Sequence, residues 1–316
     1  MKISASAVLL VFLHANLLSA AETLDFIPRH SSQVLQISLT DISRMETTRN
    51  DMIRSFLRQT GLEKGRNGSE KLISSIDKIV IVTPVLTKAE TFVFIKTKGK
   101  GSELLRRLNE ETGLRQISVK NGNLTEYWIT LRETGMIPGV APRKRTFVFT
   151  FLADNVAVIA KDSLAGYWKY KNRGLPERKR KYLKVPQALA AGFIETDPEF
   201  LRENPFFPPL QEAVYSLAAG PAGSLRIQVR AGCPDEKTAN QTQMLMQQYI
   251  MIGGMLLNQT GPELMQEWMD TIKVSRTGSA VFLSGVFSRN FLDRLTAASE
   301  KLAENRQLPG RPENKR

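Results

Sequence analysis

Few residues of this chain have the types and spacing that catalysis requires. Beyond residue 21 the sequence holds one histidine, His30, and one cysteine, Cys233. A Ser-His-Asp triad would have to use His30, and no G-x-S-x-G segment supplies its nucleophile. Zinc sites are built from several clustered His or Cys ligands, which one residue of each type does not provide. The sequence therefore predicts no triad, no metal site and no cofactor.

A group of carboxylates is the other place where chemistry could occur. A pair of carboxylates flanking a sugar bond is the arrangement that most glycosidases use. However, Pro198 argues against one continuous strand here, and acidic residues are favoured at the start of a helix. Helix capping is therefore our interpretation, and a carboxylate-dependent hydrolase acting on envelope or extracellular glycan remains an alternative. The residues concerned are Glu195, Asp197, Glu199 and Glu203.

Positive charge is concentrated in one short stretch. The chain has 44 Lys and Arg against 31 Asp and Glu, a net charge of +13. Without Lys2 the net charge is 43 − 31 = +12, and residues 169–184 supply +7 of it from eight basic residues and Glu177. Two tyrosines, Tyr170 and Tyr182, interrupt the basic residues. This segment predicts either a solvated linker or an anion-binding strip.

Which anions the segment could bind depends on the cellular location of the protein. For an exported chain they are membrane headgroups, lipopolysaccharide or acidic glycan, to which each basic residue adds about 1 kcal/mol of attraction. Nucleic acid is disfavoured because the strip has no recognised reading fold. The candidate anion-binding residues are Arg143, Lys144, Arg145, Arg178, Lys179, Arg180, Lys181 and Lys184.

The first residues have the pattern of a secretory signal peptide. Lys2 precedes an apolar run from Ala7 to Leu18, and small residues Ser19 and Ala21 fit the −3 and −1 positions of a cleavage site. His14 interrupts the apolar run, so a membrane-spanning anchor is the poorer fit. We expect cleavage after Ala21 and export, to the periplasm of a Gram-negative bacterium first of all, with secretion or envelope association as alternatives.

A strand-loop-strand pattern occurs twice along the chain. One copy lies between Lys78 and Gly99 and the other between Ser216 and Gly232, each with a proline in its loop and a glycine at its end. Aligned on that glycine, same-face apolar residues coincide: Phe92 with Leu225, and Phe94 with Ile227.

The match extends to the flanking segments. A strand precedes each pair, and Asp41 and Asp197 are expected to cap the helix that follows it. A further helix is predicted after each pair, at 102–113 and at 235–259. Each copy then closes with an edge hairpin and a short helix, at 145–168 and 270–295, with the turns at 153–155 and 277–278. The prediction is an α+β fold: two diverged tandem copies of a mixed antiparallel-sheet-plus-helices unit.

These patterns divide the chain into five parts. The expected boundaries are a signal peptide at 1–21, copy one at 22–168, a basic linker at 169–185, copy two at 186–304 and a polar tail at 305–316.

The helix predicted at 235–259 is rich in methionine and apolar almost all round. Such a helix is normally buried in a core. The alternative is an adaptable protein-interaction surface, which methionine suits and which predicts a homodimer or another protein partner.

The segment LDFIPRHSSQVLQISL, residues 24–39, resembles the start of a group of uncharacterised exported bacterial proteins. Their duplicated layout is also similar to this one. The resemblance implies a fold and no site residues. Taken together, the sequence predicts an exported non-enzymatic envelope protein, a binding or scaffolding module that contacts an anionic surface or a protein partner.

Overall fold

The computed structural model describes residues 22–44, 74–88, 90–112, 117–121, 124–133, 143–170, 172–204, 209–258 and 261–306. The predicted signal peptide and most of the predicted polar tail lie outside these ranges. The chain divides into two compact units, residues 1–181 and 182–316. The division falls within the segment predicted as a linker, and each unit is described by itself.

The first unit contains an antiparallel sheet of seven described strands in the order β1-β2-β3-β7-β6-β5-β4. The strands are β1 Gln33–Ser38, β2 Ile76–Thr83, β3 Phe92–Thr97, β4 Ile117–Asn121, β5 Leu124–Glu133, β6 Arg143–Ala153 and β7 Val156–Lys161. The helices are α1 Leu39–Arg44, α2 Gly101–Thr112, α3 Ala165–Trp168 and α4 Glu177–Leu183, which ends two residues past the division.

Apolar residues on alternate strand positions build the core of this unit. Val80 and Val82 on β2 are fully buried, as is Phe94 on β3. Tyr167 of α3 packs edge-on against Phe92 and Phe94, with ring centroids 5.6 and 5.7 Å away. Its hydroxyl donates to the carbonyl of Phe26 at 3.0 Å, and burial raises its pKa to about 12.

The second unit contains five strands in the order β8-β9-β10-β12-β11, all antiparallel. The strands are β8 Ala188–Glu195, β9 Glu212–Ala219, β10 Leu225–Gly232, β11 Lys273–Thr277 and β12 Ala280–Phe287. The helices are α5 Pro198–Glu203, α6 Glu236–Asn258, α7 Pro262–Thr271 and α8 Arg289–Arg306.

One face of this second sheet is covered by helices. Leu225, Ile227 and Leu283 point to that face and pack with Ile250 of α6 and Phe291 of α8 in one apolar cluster. The intervening positions of β10 are exposed, as its alternation predicts. Helices packed on a large antiparallel sheet make an α+β architecture, which confirms the predicted fold class at that level.

Of the two predicted helix caps, one is confirmed and one is wrong. The Asp197 carboxylate accepts from the backbone N–H of Phe200 at 2.7 Å, with Pro198 in the first helical position. In α1 the cap is Ser38, whose Oγ accepts from the backbone N–H of Asp41 at 3.3 Å. Asp41 instead lies inside the helix and accepts from the Ser38 hydroxyl at 2.5 Å. A serine one step before the helix took the role that the sequence assigned to aspartate.

Candidate functional site

Helix α6 exposes an apolar face, so the prediction that it is buried in the core is wrong for that side. Its buried residues, Ala239, Thr242, Ile250 and Gly254, follow one side at helical spacing. On the other side, apolar side chains between 46% and 61% exposed form what we call the α6 apolar face. Its members are Met244, Tyr249, Met251, Ile252, Met255 and Leu256.

This face carries no charge. None of the 25 residues from 238 to 262 is Asp, Glu, Lys or Arg. A partner could therefore cover the face without stripping water from an ion. Covering the exposed half of each Met, Ile or Leu side chain is worth roughly 1 kcal/mol, half of its full burial.

Helix α7 holds the second half of α6 in place. The indole N–H of Trp268 donates to the carbonyl of Ile250 at 2.9 Å. A Cβ on Gly253 would lie 3.2 Å from the Trp268 ring, and one on Gly254 would lie 3.1 Å from the Met269 sulfur. The close neighbours of the glycine pair are thus these two side chains. The side of α6 opposite the apolar face is therefore packed against α7.

Aromatic stacking and ion pairs extend that support. Trp268 stacks on Phe287, with ring centroids 5.5 Å apart, and Phe287 stacks on Phe291 at 5.1 Å. Arg294 of α8 pairs with Glu263 and with Glu267 of α7. Helices α7 and α8 are thus joined to each other and to β12 beneath α6.

The first turn of α6 is anchored separately. Asp235 accepts from the backbone N–H of Thr238 at 2.7 Å, and that hydrogen bond lowers the pKa of Asp235. Cys233 is buried, and its thiol donates to the hydroxyl of Thr242 at 3.5 Å. The thiol acts here as a small packing residue between strand and helix.

The basic residues predicted at 178–184 are not equivalent. Four of them lie on α4 and Lys184 follows its end. Lys179 donates from Nζ to the carbonyl of Ser31 at 2.9 Å, and Arg180 forms ion pairs with Glu22 and Asp25. Both are half-buried within their unit, whereas Arg178, Lys181 and Lys184 are exposed. The segment predicted as a linker therefore contains a helix, and the side chains of Lys179 and Arg180 bind the fold itself.

Another basic residue of that segment stacks on aromatic rings. The Arg173 guanidinium lies 4.6 Å from the ring centroid of Tyr167 and 5.2 Å from that of Trp168. This places a cation over the faces of two aromatic side chains. The backbone of Pro28 also bridges to that of Arg173, so the segment is joined to the start of the described chain.

The remaining predicted basic residues begin strand β6. Their Cα atoms pair across the ladder with β5. The pairs are Arg143 with Glu133, Lys144 with Arg132, and Arg145 with Leu131.

The predicted carboxylates have structural positions. Asp197 is the cap described above, and Glu199 and Glu203 are exposed on α5. Glu195 faces Glu212 across the ladder, and Glu212 accepts from Arg230 at 2.9 Å and from the hydroxyl of Tyr182 at 3.3 Å. Among the described residues, no three His, Cys, Asp or Glu side chains are grouped to hold a metal ion.

An exposed apolar group on β4 and β5 was not predicted from the sequence. Ile117 and Val119 of β4 are 70% and 48% exposed, and Trp128 of β5 pairs with Ile117 in the ladder. The alternation of Ile and Val at 117 and 119 was the available signal, since alternate residues share a face.

Within the described ranges, no helix combines the length and the apolar character needed to cross a bilayer.

The similarity of this chain to known proteins concerns its fold. No protein-family model and no curated protein matches the chain. A solved structure titled "Structure of crystal form III of TP0453" is similar, with a TM-score of 0.51 and 12% sequence identity. The match covers 89% of this chain and 99% of that one. At this identity the similarity concerns the fold alone.

Proposed function

We propose that this chain is an exported, non-enzymatic binding protein of the cell envelope that contacts a protein partner through the α6 apolar face. The observation that carries the proposal is the exposure of six apolar side chains on a helix whose other side packs on a sheet. Contiguous apolar surface of this kind on a folded protein marks a contact site. Methionine, which is unbranched and polarisable, adapts to the shape of a partner.

The absence of charge favours a protein partner over an anionic one at this face. Helices that bind anionic membrane surfaces carry Lys and Arg beside their apolar residues. After Lys237, the next charged residue along the sequence is Glu263. The apolar surface of a second protein is the partner that this composition fits best.

The proposed address is supported by the N-terminal pattern. The order of Lys2, the apolar run and Ala21 is that of a cleavable signal peptide. The resemblance of residues 24–39 to the starts of exported bacterial proteins supports the same address. The periplasm of a Gram-negative bacterium is the compartment we propose.

We also propose that the two units are diverged copies of one ancestral unit. Each has three successive antiparallel strands, then helix α2 in the first unit or helices α6 and α7 in the second, and a hairpin whose second strand pairs with the third strand. The strand orders are β1-β2-β3-β7-β6 and β8-β9-β10-β12-β11. The first unit has the β4–β5 hairpin in addition. An experimental structure whose two units superpose over those five strands would support duplication, and a different connectivity would contradict it.

The binding proposal is tested by photo-crosslinking in exporting cells. A photoreactive amino acid at Ile252 is expected to give a discrete adduct with a second protein, because Ile252 lies within the apolar face. The matched control is Gln228, which is exposed on the uncovered face of the same unit's sheet. An adduct of twice the chain mass would identify a homodimer.

A double variant completes the test. Met251→Lys with Met255→Lys places two charges on the apolar face, and should abolish the Ile252 adduct while leaving urea unfolding unchanged. Both side chains are about half exposed, and the long stem of a lysine can keep the buried half of each contact while its ammonium group stays in water. Adducts no stronger at Ile252 than at Gln228, or adducts that survive the double variant, would overturn the proposal.

A second candidate function rests on the exposed side chains of Arg178, Lys181 and Lys184. Their spacing of three residues supports contact with an anionic membrane surface, at about 1 kcal/mol for each residue. Changing all three to Gln should weaken binding to phosphatidylglycerol vesicles and flatten its salt dependence. The control with equal charge change is Lys98, Lys100 and Lys161 to Gln, all exposed. Equal losses in both variants would reduce the effect to net charge and remove this candidate.

A further inference from the structure

The start of the described chain is a docked part of the first unit. Leu24 and Ile27 are buried. The backbone N–H of Leu175 donates to the carbonyl of Leu24 at 3.0 Å, and that of Gly174 donates to the carbonyl of Ile27 at 2.8 Å. Two buried side chains and these backbone hydrogen bonds fix the position of residues 24–27.

Next to this docked segment lies a small ionic cluster. The Asp25 carboxylate accepts from Nη2 of Arg180 at 2.6 Å through one oxygen and from the backbone N–H of Glu22 at 3.1 Å through the other. Nη1 of Arg180 lies 3.5 Å from the Glu22 carboxylate. The guanidinium is itself fixed, because its Nε donates to the carbonyl of Leu175 at 2.7 Å and only 18% of the side chain is exposed.

Among the described residues, the ion pairs of this cluster leave one negative charge in excess. Two carboxylates, from Glu22 and Asp25, share the single guanidinium of Arg180. The neighbouring Lys179 donates to the carbonyl of Ser31. The second Asp25 oxygen accepts from the backbone nitrogen of Glu22, which is also the nitrogen at the predicted cleavage point.

We propose that removal of the signal peptide completes this cluster, with Asp25 as the receptor for the new N-terminal ammonium group. The proposal rests on the export and the cleavage after Ala21 proposed above. Hydrolysis breaks the amide bond between Ala21 and Glu22: water supplies the oxygen that joins the Ala21 carbonyl carbon, and the Glu22 nitrogen leaves as an amine that takes up a proton. The resulting ammonium group stands 3.1 Å from the Asp25 carboxylate and balances the charge of the cluster.

The ammonium group should have a raised pKa. An α-amino group ordinarily titrates at about 7.7–8.0, and an adjacent carboxylate favours its charged form. The Glu22 and Asp25 side chains are about half exposed, so we expect a rise of about half a unit, a roughly threefold change in the protonation constant. Because the pKa is raised in the folded state, the stabilisation is complete below the unfolded value and is lost as the pH rises through the folded value.

The test uses a chain that begins at Glu22, released from an N-terminal fusion by a protease that leaves no extra residue. The α-amino pKa is read from the pH dependence of trace acetylation, followed by mass spectrometry of the N-terminal peptide. The matched control is the same chain with Gly-Ser before Glu22, which moves the ammonium group away without changing a side chain. We expect a raised pKa in the first chain and an ordinary one in the second.

Two variants assign the effect to the carboxylate. Asp25→Asn should return the pKa of the Glu22 chain to its ordinary value, whereas Asp162→Asn, which removes an exposed carboxylate elsewhere in the unit, should leave it raised. An equal pKa in all four proteins would overturn the inference. N-terminal sequencing of the exported product tests the address independently: Glu22 as first residue supports maturation of the cluster, and any other first residue overturns it, whatever the acetylation shows.

Discussion

Tyr167 shows how one buried hydroxyl ties separate parts of the first unit together. It packs edge-on against Phe92 and Phe94 of the sheet, bonds to the carbonyl of Phe26 and lies beneath the guanidinium of Arg173. The ionised form of Tyr167 would lose this donor hydrogen bond and would be a charge in an apolar site.

The raised pKa of Tyr167 therefore predicts that the free energy of unfolding falls at alkaline pH. In the unfolded chain the phenol ionises near pH 10, and in the folded protein at about 12, so unfolding releases a proton between these values and stability falls as the pH rises through them. Tyr167→Phe should remove this part of the pH dependence. At neutral pH the same variant should lose about 1 kcal/mol with the hydroxyl's hydrogen bond. Urea unfolding at roughly pH 7, 10 and 11 measures both effects, because these values lie below, at and above the ordinary pKa of a tyrosine. A phenylalanine variant that keeps the full alkaline decline would show that other groups cause it.

At the scale of elements, the junction between α6 and α7 depends on two adjacent glycines that are not equivalent. Both lie inside a helix, where alanine is favoured over glycine by about 1 kcal/mol. The neighbour of Gly254 is the thioether of Met269, a flexible chain that can move, whereas the neighbour of Gly253 is the Trp268 ring. That ring is fixed by its hydrogen bond to Ile250 and by stacking on Phe287.

This difference predicts opposite effects for the same substitution. Gly254→Ala should leave the free energy of unfolding unchanged or raise it by up to about 1 kcal/mol. Gly253→Ala should lower it, because overpacking against a fixed ring costs about 1–3 kcal/mol and exceeds the helical gain. The two variants serve as controls for each other in urea unfolding. Equal effects would mean that Trp268 yields as easily as Met269.

For the molecule as a whole, sequence patterns predicted local structure better than exposure. The alternation of β10, the hairpin turn at Asp154 and Asn155, and the helix after each strand pair could all be predicted, because each depends on residues close together in sequence. The side of α6 left uncovered could not be predicted. A helix that is apolar all round does not show where the neighbouring sheet ends, and the structure covers only the side of Ile250 and Gly254.

The partners of the basic segment could not be predicted either. Its composition favours solvation or anion binding, yet the partners of Arg180 are Glu22 and Asp25, more than 150 residues earlier in the chain. No local pattern links residues that far apart.

The position of Cys233 makes its thiol a reporter of the movement of α6. It is the chain's only cysteine, and its thiol is closed off between the end of β10 and Thr242 of the helix. A thiol reagent reaches it when the helix lifts from the sheet, so the labelling rate relative to a free thiol reports the fraction of molecules that are open. A partner that binds the outer side of α6 would slow the labelling of Cys233 without touching the sulfur.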